Sequence, residues 1–288
     1  ILLTVLFGEK NKDMAINLKM PVNKDLLRVP GIKLATLSTG LKYKNRKDLM
    51  LIALDDASIV SATFTQNKFC AAPVVASRNH LKVTSAIKAL IVNTGSANAG
   101  TGDKGIEDAE SVCKSIAKAL DVKSSQVLPF STGVIMTPLP VQKINQAIPD
   151  LVKGLKDNNW LEAAEAIMTT DTLPKAASKS ILLQDQKLTI TGISKGAGMI
   201  HPDMATMLAF ILTNANISLE MLQKLNKEIV DTTFNCISVD GDTSTNDSFI
   251  IAATNQAKHS KIVKEDKDYK VLKSAIFDIA LELSQAII

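Results

Sequence analysis

Short apolar runs of strand length interleave with amphipathic helical patterns along the whole chain, and this alternation constrains the fold more than any single residue. Asp48 to Leu54 and Ile59 to Phe64 read as strands, as does Ile87 to Val92, ending at Asn93. Met207 to Leu212 and Phe249 to Ala253 are continuous apolar runs, the pattern of strands covered on both faces. Ile106, Ala109, Val112, Cys113, Ile116, Ala117 and Leu120 recur at helical spacing and give one apolar face. Leu219, Leu222, Leu225, Ile229 and Val230 give another, capped by Ser218, and Asn159 is expected to cap a helix through Met168. Ser180 to Leu183 and Leu188 to Thr191 read as a hairpin across Gln184-Asp185-Gln186. Val271 to Ile288 is helical in period and follows a mixed-charge segment, Lys258 to Lys270, that reads as solvated. Strands needing cover on both faces, together with one-sided helices, predict an α/β or α+β fold of layered sheets covered by helices.

A chain of 288 residues is long enough for one large domain or two ordinary ones. Its 33 basic residues are scattered among 29 acidic ones, so the net charge of +4 forms no electropositive stripe. One Trp, two Tyr and eight Phe are too few for base-stacking platforms, which argues against a nucleic-acid partner. Cys70, Cys113 and Cys236 are widely spaced and include no C-x-x-C pair, so no metal centre is expected and a reducing, cytoplasmic compartment fits best. The chain opens on Ile1, and its first apolar run, Ile1 to Phe7, is too short to span a membrane. Residues 1–13 read as an upstream extension, with Met14 as the natural start. No run approaches 18 apolar residues, so no membrane helix is expected.

Three segments invite chemical readings. Gly100, Gly102 and Gly105 form a G-x-G-x-x-G between a strand and a helix, but Gly100 lies seven positions beyond Asn93, whereas a dinucleotide fingerprint needs its first glycine in the tight turn itself. Asp240 and Asp242 follow an apolar run and look like the D-x-D of a phosphoaspartate phosphatase, yet only 41 residues follow Asp247, too few for that fold. A calcium loop fails as well, because Thr245 stands where the sharp turn requires Gly. The plain reading is a tight turn satisfied by its own carboxylates and hydroxyls. The third segment, Lys195 to Phe210, brings a Gly-rich, Pro-broken approach to the Ala205-Thr206 bond at the mouth of a buried strand. Taken by itself, Thr206 is an ordinary strand residue and Lys195 a solvated cation.

That third segment resembles the self-cleavage motif of the ornithine acetyltransferase (glutamate N-acetyltransferase) family of arginine biosynthesis. Four further stretches match in the family's order. Pro30-Gly31 and Gly40-Leu41-Lys42, followed by Phe64-Thr65-Gln66-Asn67 and Ala71-Ala72-Pro73-Val74, resemble its N-terminal signature. Ser131-Thr132-Gly133-Val134-Ile135 resembles its oxyanion loop, and Thr169-Thr170-Asp171-Thr172 with Pro174-Lys175 its substrate-binding turn. Val239 to Asp247 is similar to its second-chain loop and accounts for the D-x-D. Departures are Met136 and Thr137 in place of the common Gly-Val, and Ser96 and Gly100 in place of the usual Asn and Cys.

The resemblance implies a layered αββα-type sandwich of mixed sheets in a self-processing, N-terminal-nucleophile enzyme. Cleavage between Ala205 and Thr206 would leave residues 14–205 as one chain and 206–288 as a second, with two of each forming a heterotetramer. It implies transfer of acetyl from N-acetylornithine to glutamate through an acetyl-Thr206 intermediate, with the oxyanion held by Thr132 and the Gly133 N–H, and substrate bound by Thr169, Lys195 and Thr206. No cofactor is implied, and acetyl-CoA is left open as a second donor. A Thr nucleophile needs a base, and the α-amino group freed by cleavage, with a reference pKa of about 7.7 to 8.0, supplies one. His80 and His259 are therefore not needed and read as surface residues, while His201 is expected to shape the cleavage loop. A related self-processing aminopeptidase and an inert binding protein remain alternatives; the first usually presents Ser where Thr206 stands. The family continues beyond this helix into a loop carrying a substrate-binding Glu, so the sequence resembles a member cut short at its C-terminus, with apolar sheet surface and a strand edge left open.

Overall fold

The computed structural model describes residues 19–42, 44–198 and 207–288. Among these, nine strands form two mixed sheets stacked face to face. The first has the order β1 (Ile32–Leu37), β2 (Leu49–Leu54), β4 (Ala89–Ser96), β5 (Val127–Val134). The second runs β3 (Ile59–Phe64), β9 (Ser248–Ala253), β8 (Leu208–Thr213), β7 (Gln186–Lys195), β6 (Lys175–Leu183). Each sheet contains a single parallel pair, β4 with β5 and β8 with β9, and all other pairings are antiparallel. A parallel pair needs a crossover connection. The two crossovers contain α2 (Gly102–Leu120) and α5 (Leu219–Thr232), which lie on the outer faces of their sheets.

Three apolar layers result. Ile52, Val92, Leu128 and Phe130 of the first sheet meet Ile193, Phe210, Leu212 and Ile250 of the second in the central layer. Phe130 and Phe210 touch edge to face, with ring centroids 5.2 Å apart. The fully buried Trp160, at the start of α4 (Trp160–Ala166), belongs to the same layer. Outside the first sheet, α2 and α3 (Val141–Lys153) pack on Leu49, Leu51, Ile91 and Val127. Outside the second, α5 and α6 (Lys267–Gln285) cover Ile190, Ala209, Ile211, Phe249 and Ile251. This is the expected αββα arrangement, and every residue of β8 and β9 is buried. The expected open apolar sheet face is thus not found among the described residues; β3 and β6 are nevertheless the sheet's edge strands.

Several elements depart from the sequence reading. β4 continues three residues past Asn93, because β5 pairs with it through Gly133 and Val134. β5 itself went unread: Pro129 interrupts its pattern, and proline is tolerated there because β5 is an edge strand. Neither α3 nor α1 (Ala72–Val83), which packs against β5, was read, and α3 carries Pro149 within it. α4 ends at Ala166, not Met168, and the Asn159 side chain, instead of capping it, donates to Glu162 Oε2 at 3.0 Å. The hairpin turn is two residues, Gln184 and Asp185, with φ of 49° and 60°, and Gln186 already belongs to β7.

Two histidines correct the surface reading. His80 is buried between the Val127 carbonyl, 2.7 Å from Nδ1, and the Glu110 carboxylate, 3.1 Å from Nε2. His259 is buried too, its Nε2 accepting from the Asn216 amide at 2.9 Å while Nδ1 donates to the Ser260 carbonyl. The segment from Lys258 to Lys270 is only partly solvated, since it buries Ile262 and Tyr269 and starts α6 at Lys267, capped by Asp266.

The central layer dominates the energetics, because both inner sheet faces depend on it. Phe210→Ala removes a fully buried ring from the middle of that layer and is expected to lower the unfolding free energy by about 3–5 kcal/mol. Urea unfolding measures this; a loss below about 1 kcal/mol would show that the layer closes around the deletion.

Candidate active site

The two sheets present opposite strand ends to one cleft. From the first come the C-terminal ends of β4 and β5; from the second, the C-terminal end of β7 and the N-terminal ends of β8 and β9. Thr132, Gly133, Lys195, Met207, Ser244 and Asp247 line it together. Thr132 is buried in register with Thr94, and Gly133 with Gly95. At Gly133 φ is 142°, and a Cβ would fall 2.4 Å from the Gly95 carbonyl carbon. Only glycine allows the two backbones to approach this closely.

The loop before β9 is tied to the other sheet by one side-chain amide. Asn246 Nδ2 donates to the Ala97 carbonyl at 2.7 Å and to the Ser131 carbonyl at 2.9 Å. The same loop is held from below by the Thr65-Gln66-Asn67 stretch: Thr65 Oγ1 donates to the Ser244 carbonyl, the Thr65 amide to the Asp247 carbonyl, and Asn67 Nδ2 to the Thr243 carbonyl. The Ala71 amide donates to the Thr245 carbonyl at 3.0 Å. Two of the N-terminal sequence motifs thus act as the footing of the cleft.

Lys195 ends β7 with only 2% of its surface exposed, which overturns the solvated reading. Burial pushes its pKa down, the carboxylates of Asp171 and Asp247 push it back up, and Lys175 adds to the lowering. Asp171 is the hub of this group. Its Oδ1 accepts from Lys175 Nζ at 2.6 Å and from the Gly196 amide at 2.7 Å, and its Oδ2 accepts from the Thr169 amide at 3.1 Å. Burial alone would raise the Asp171 pKa, but the two ammonium groups and these hydrogen bonds hold it below the ordinary carboxylate range. Thr169 does not line the cleft; it is half-buried one step behind, with its carbonyl accepting from Arg46 Nη1 at 3.1 Å.

Asp247 is the residue to which the sequence reading gave no role. It is fully buried, and its Oδ1 accepts from the Met207 amide at 2.9 Å. Burial pushes its pKa up to about 7, against the pull of the Met207 amide, the Ser244 hydroxyl and the Lys195 ammonium. Neither Ser244 nor Lys195 makes a hydrogen bond to Oδ2, which has no hydrogen-bond partner among the described residues. Only its position in the Thr-Asn-Asp run before an apolar strand could have marked it. Ala205, Thr206 and His201 lie outside the described residues, so the described wall of the cleft begins at Met207, the residue bonded to Thr206.

The rival motifs find structural explanations. Asn98 Nδ2 donates to the Gly105 carbonyl, Thr101 Oγ1 donates to Asn98 Oδ1, and a Cβ on Gly105 would lie 1.9 Å from Thr101 Oγ1. That glycine serves loop closure. Asp240 and Asp242 are exposed, with the Asp242 amide donating to Asp240 Oδ1 as in an ordinary turn. Among the described residues no cluster of potential metal ligands occurs, and no helix is long and apolar enough to cross a membrane. The departures at positions 100 and 136 fit one another: Met136 takes a left-handed φ of 60°, and a Cβ on Gly100 would come within 3.1 Å of Met136 Cγ and 3.0 Å of Phe69 Cζ.

Comparison with known proteins gives the family and the fold. The model of the ArgJ family matches residues 33–288. The arginine biosynthesis bifunctional protein ArgJ of Colwellia psychrerythraea is 46% identical over 286 residues, covering 96% of this chain and 68% of that protein. The chain therefore spans about two thirds of that relative's length. The crystal structure of ornithine acetyltransferase complexed with ornithine from Mycobacterium tuberculosis is similar at 27% identity and a TM-score of 0.52, over 62% of this chain and 94% of the solved one. A likeness in fold alone extends to the L-aminopeptidase D-Ala-esterase/amidase of Ochrobactrum anthropi, a variant of the Ntn-hydrolase fold, at 10% identity and a TM-score of 0.53 over 90% of this chain. A family match over nearly the whole chain, together with the motifs gathered at one cleft, shows that the chain belongs to the ArgJ family.

Proposed function

We propose that the cleft carries acetyl transfer from N-acetylornithine to glutamate in arginine biosynthesis, with Thr206 as nucleophile after cleavage of the Ala205-Thr206 bond. The observation that carries this reading is that Thr132, Gly133 and Lys195 line one cleft together with Met207, the residue bonded to Thr206. The M. tuberculosis comparison lends support to cleavage: a match to 62% of this chain uses up 94% of the solved one, so that chain is shorter than this one, as a divided polypeptide would be.

In this reading, the Thr206 hydroxyl attacks the acetyl carbonyl while its own α-amino group takes the hydroxyl proton. The tetrahedral oxyanion is met by the Thr132 hydroxyl and the Gly133 N–H. On collapse the bond from the acetyl carbon to the ornithine α-nitrogen breaks, the proton passes to that nitrogen, and ornithine leaves an acetyl ester on Thr206. The glutamate α-amine then attacks the ester, giving N-acetylglutamate and restoring the hydroxyl. Both amino acids carry an α-carboxylate, for which the buried Lys195 ammonium is the matching charge. Thr169 supports the binding turn through the Asp171 hub that also fixes the Gly196 amide beside Lys195. Acetyl-CoA as a second donor, and assembly of two copies of each cleaved chain, belong to this proposal as further expectations.

Thr206→Ala is expected to run as one band on a denaturing gel where the wild-type chain gives two, and to yield no ornithine from N-acetylornithine. Persistent cleavage would move the scissile bond and remove Thr206 from its role. Release of ornithine by the wild-type chain without glutamate, at the rate seen with it, would indicate hydrolysis by water in place of transfer. Thr132→Ala is expected to retain the fold and lower kcat at least tenfold, about 3 kcal/mol being usual for one oxyanion donor. Steady-state kinetics with N-acetylornithine and glutamate measure this, and an unchanged kcat would exclude the hydroxyl from the oxyanion site.

A further inference from the structure

A fully buried carboxyl oxygen without a hydrogen-bond partner is unusual enough to require an explanation. Asp247 Oδ2 is such an atom, in the wall of the cleft that holds Thr132, Gly133 and Lys195. Its sister Oδ1 holds the Met207 amide at 2.9 Å. Covalent geometry then limits where the missing partner can be. The α-nitrogen of residue 206 is three bonds from the Met207 nitrogen and lies within about 3.7 Å of it in any conformation. In the uncut chain that nitrogen is an amide; once the preceding bond opens it becomes an amine with protons to donate.

We propose that Asp247 is a positioning residue for the Thr206 nucleophile: Oδ1 fixes the amide that follows Thr206, and Oδ2 receives the α-amino group that cleavage releases. The inference rests on the Thr206 reading given above. A hydrogen bond to Oδ2 would orient the amine so that its lone pair faces the Thr206 hydroxyl, as the third member of a nucleophile–base pair does elsewhere. Among the described residues, the charged groups around Asp247 are Lys195 at the end of β7, with Asp171 and Lys175 behind it. Lys195 makes no hydrogen bond to Oδ2, which leaves that oxygen to the new terminus. The raised pKa of Asp247, about 7, fits a carboxyl whose cationic partner arrives only after cleavage.

Asp247→Asn tests this, since the amide oxygen can still accept from Met207 while the charge is removed; thermal unfolding checks that the fold is kept. The cut wild-type and variant chains are treated with formaldehyde and cyanoborohydride across pH, and methylation of the Thr206 α-amine is read by mass spectrometry of its N-terminal peptide. A carboxylate beside an ammonium raises the ammonium's pKa, so the midpoint of methylation is expected to fall by about one pH unit in Asp247→Asn. The acid limb of kcat/KM should shift the same way, and kcat should drop at least tenfold. Asp247→Glu should restore the midpoint more fully than it restores kcat. An unchanged midpoint with kcat within twofold of wild type overturns the proposal. So does a rise in KM alone, which would give Oδ2 to a substrate amine, and so does an Asp247→Asn chain that folds but stays uncut. Thr206→Ala is run beside these: if it is cut as the wild type is, or if the wild type is not cut, the Thr206 reading falls first. With wild type cut and Thr206→Ala intact, a negative result belongs to Asp247 alone.

Discussion

The inner faces of the two sheets cover each other, and the layer they share governs where polar groups can stand. Phe130 against Phe210 marks its middle. Towards the cleft ends of β5, β7 and β9 the apolar side chains give way to Ser131, Thr132, Lys195 and Asp247, still buried but now polar. Burying polar groups is tolerable only where partners are supplied. Asn246 supplies two of them by bonding to the carbonyls of Ala97 and Ser131 across the seam. The candidate site is therefore the edge of the central layer, closed by hydrogen bonds where apolar packing stops.

Charge follows the same logic. Lys175, Lys195, Asp171 and Asp247 are all nearly inaccessible to solvent, two of each sign. Isolated, each would pay a desolvation cost of several kcal/mol. Asp171 offsets much of it by taking bonds from Lys175, Gly196 and Thr169 at once. Lys195 and Asp247 both line the cleft, where burial lowers the pKa of the first and raises that of the second to about 7.

The sequence made the architecture legible wherever burial has a simple period. β3 was read to the residue, β8 and β9 within one, and the Ser218 cap of α5 is present, its side chain accepting from the Met221 amide. It failed where tertiary contact outweighs local pattern. β5 carries a proline and ends in Ser-Thr-Gly-Val, so nothing local marks it as a strand; its partner β4 makes it one. His80 and His259 look like surface residues until the Glu110 carboxylate and the Asn216 amide reach them from other elements. In the candidate site, Thr132, Gly133 and Lys195 were legible through motif resemblance. The role of Asp247 was not, because it depends on an amide forty positions earlier being its neighbour, and that is set only when β8 and β9 pair.

That pairing has a topological consequence. In the second sheet, β8 and β9 are interior strands, flanked by β3 on one side and by β7 on the other. Both flanking strands precede residues 199–206, and both interior strands follow them. A backbone opened within that stretch would leave the first sheet whole in the earlier piece but divide the second sheet between the two. The later piece would remain as the inlay of the earlier one, clamped along both edges, and the two could part only by the dismantling of the whole layer. Cleavage there would change the number of chain ends without changing what unfolds together.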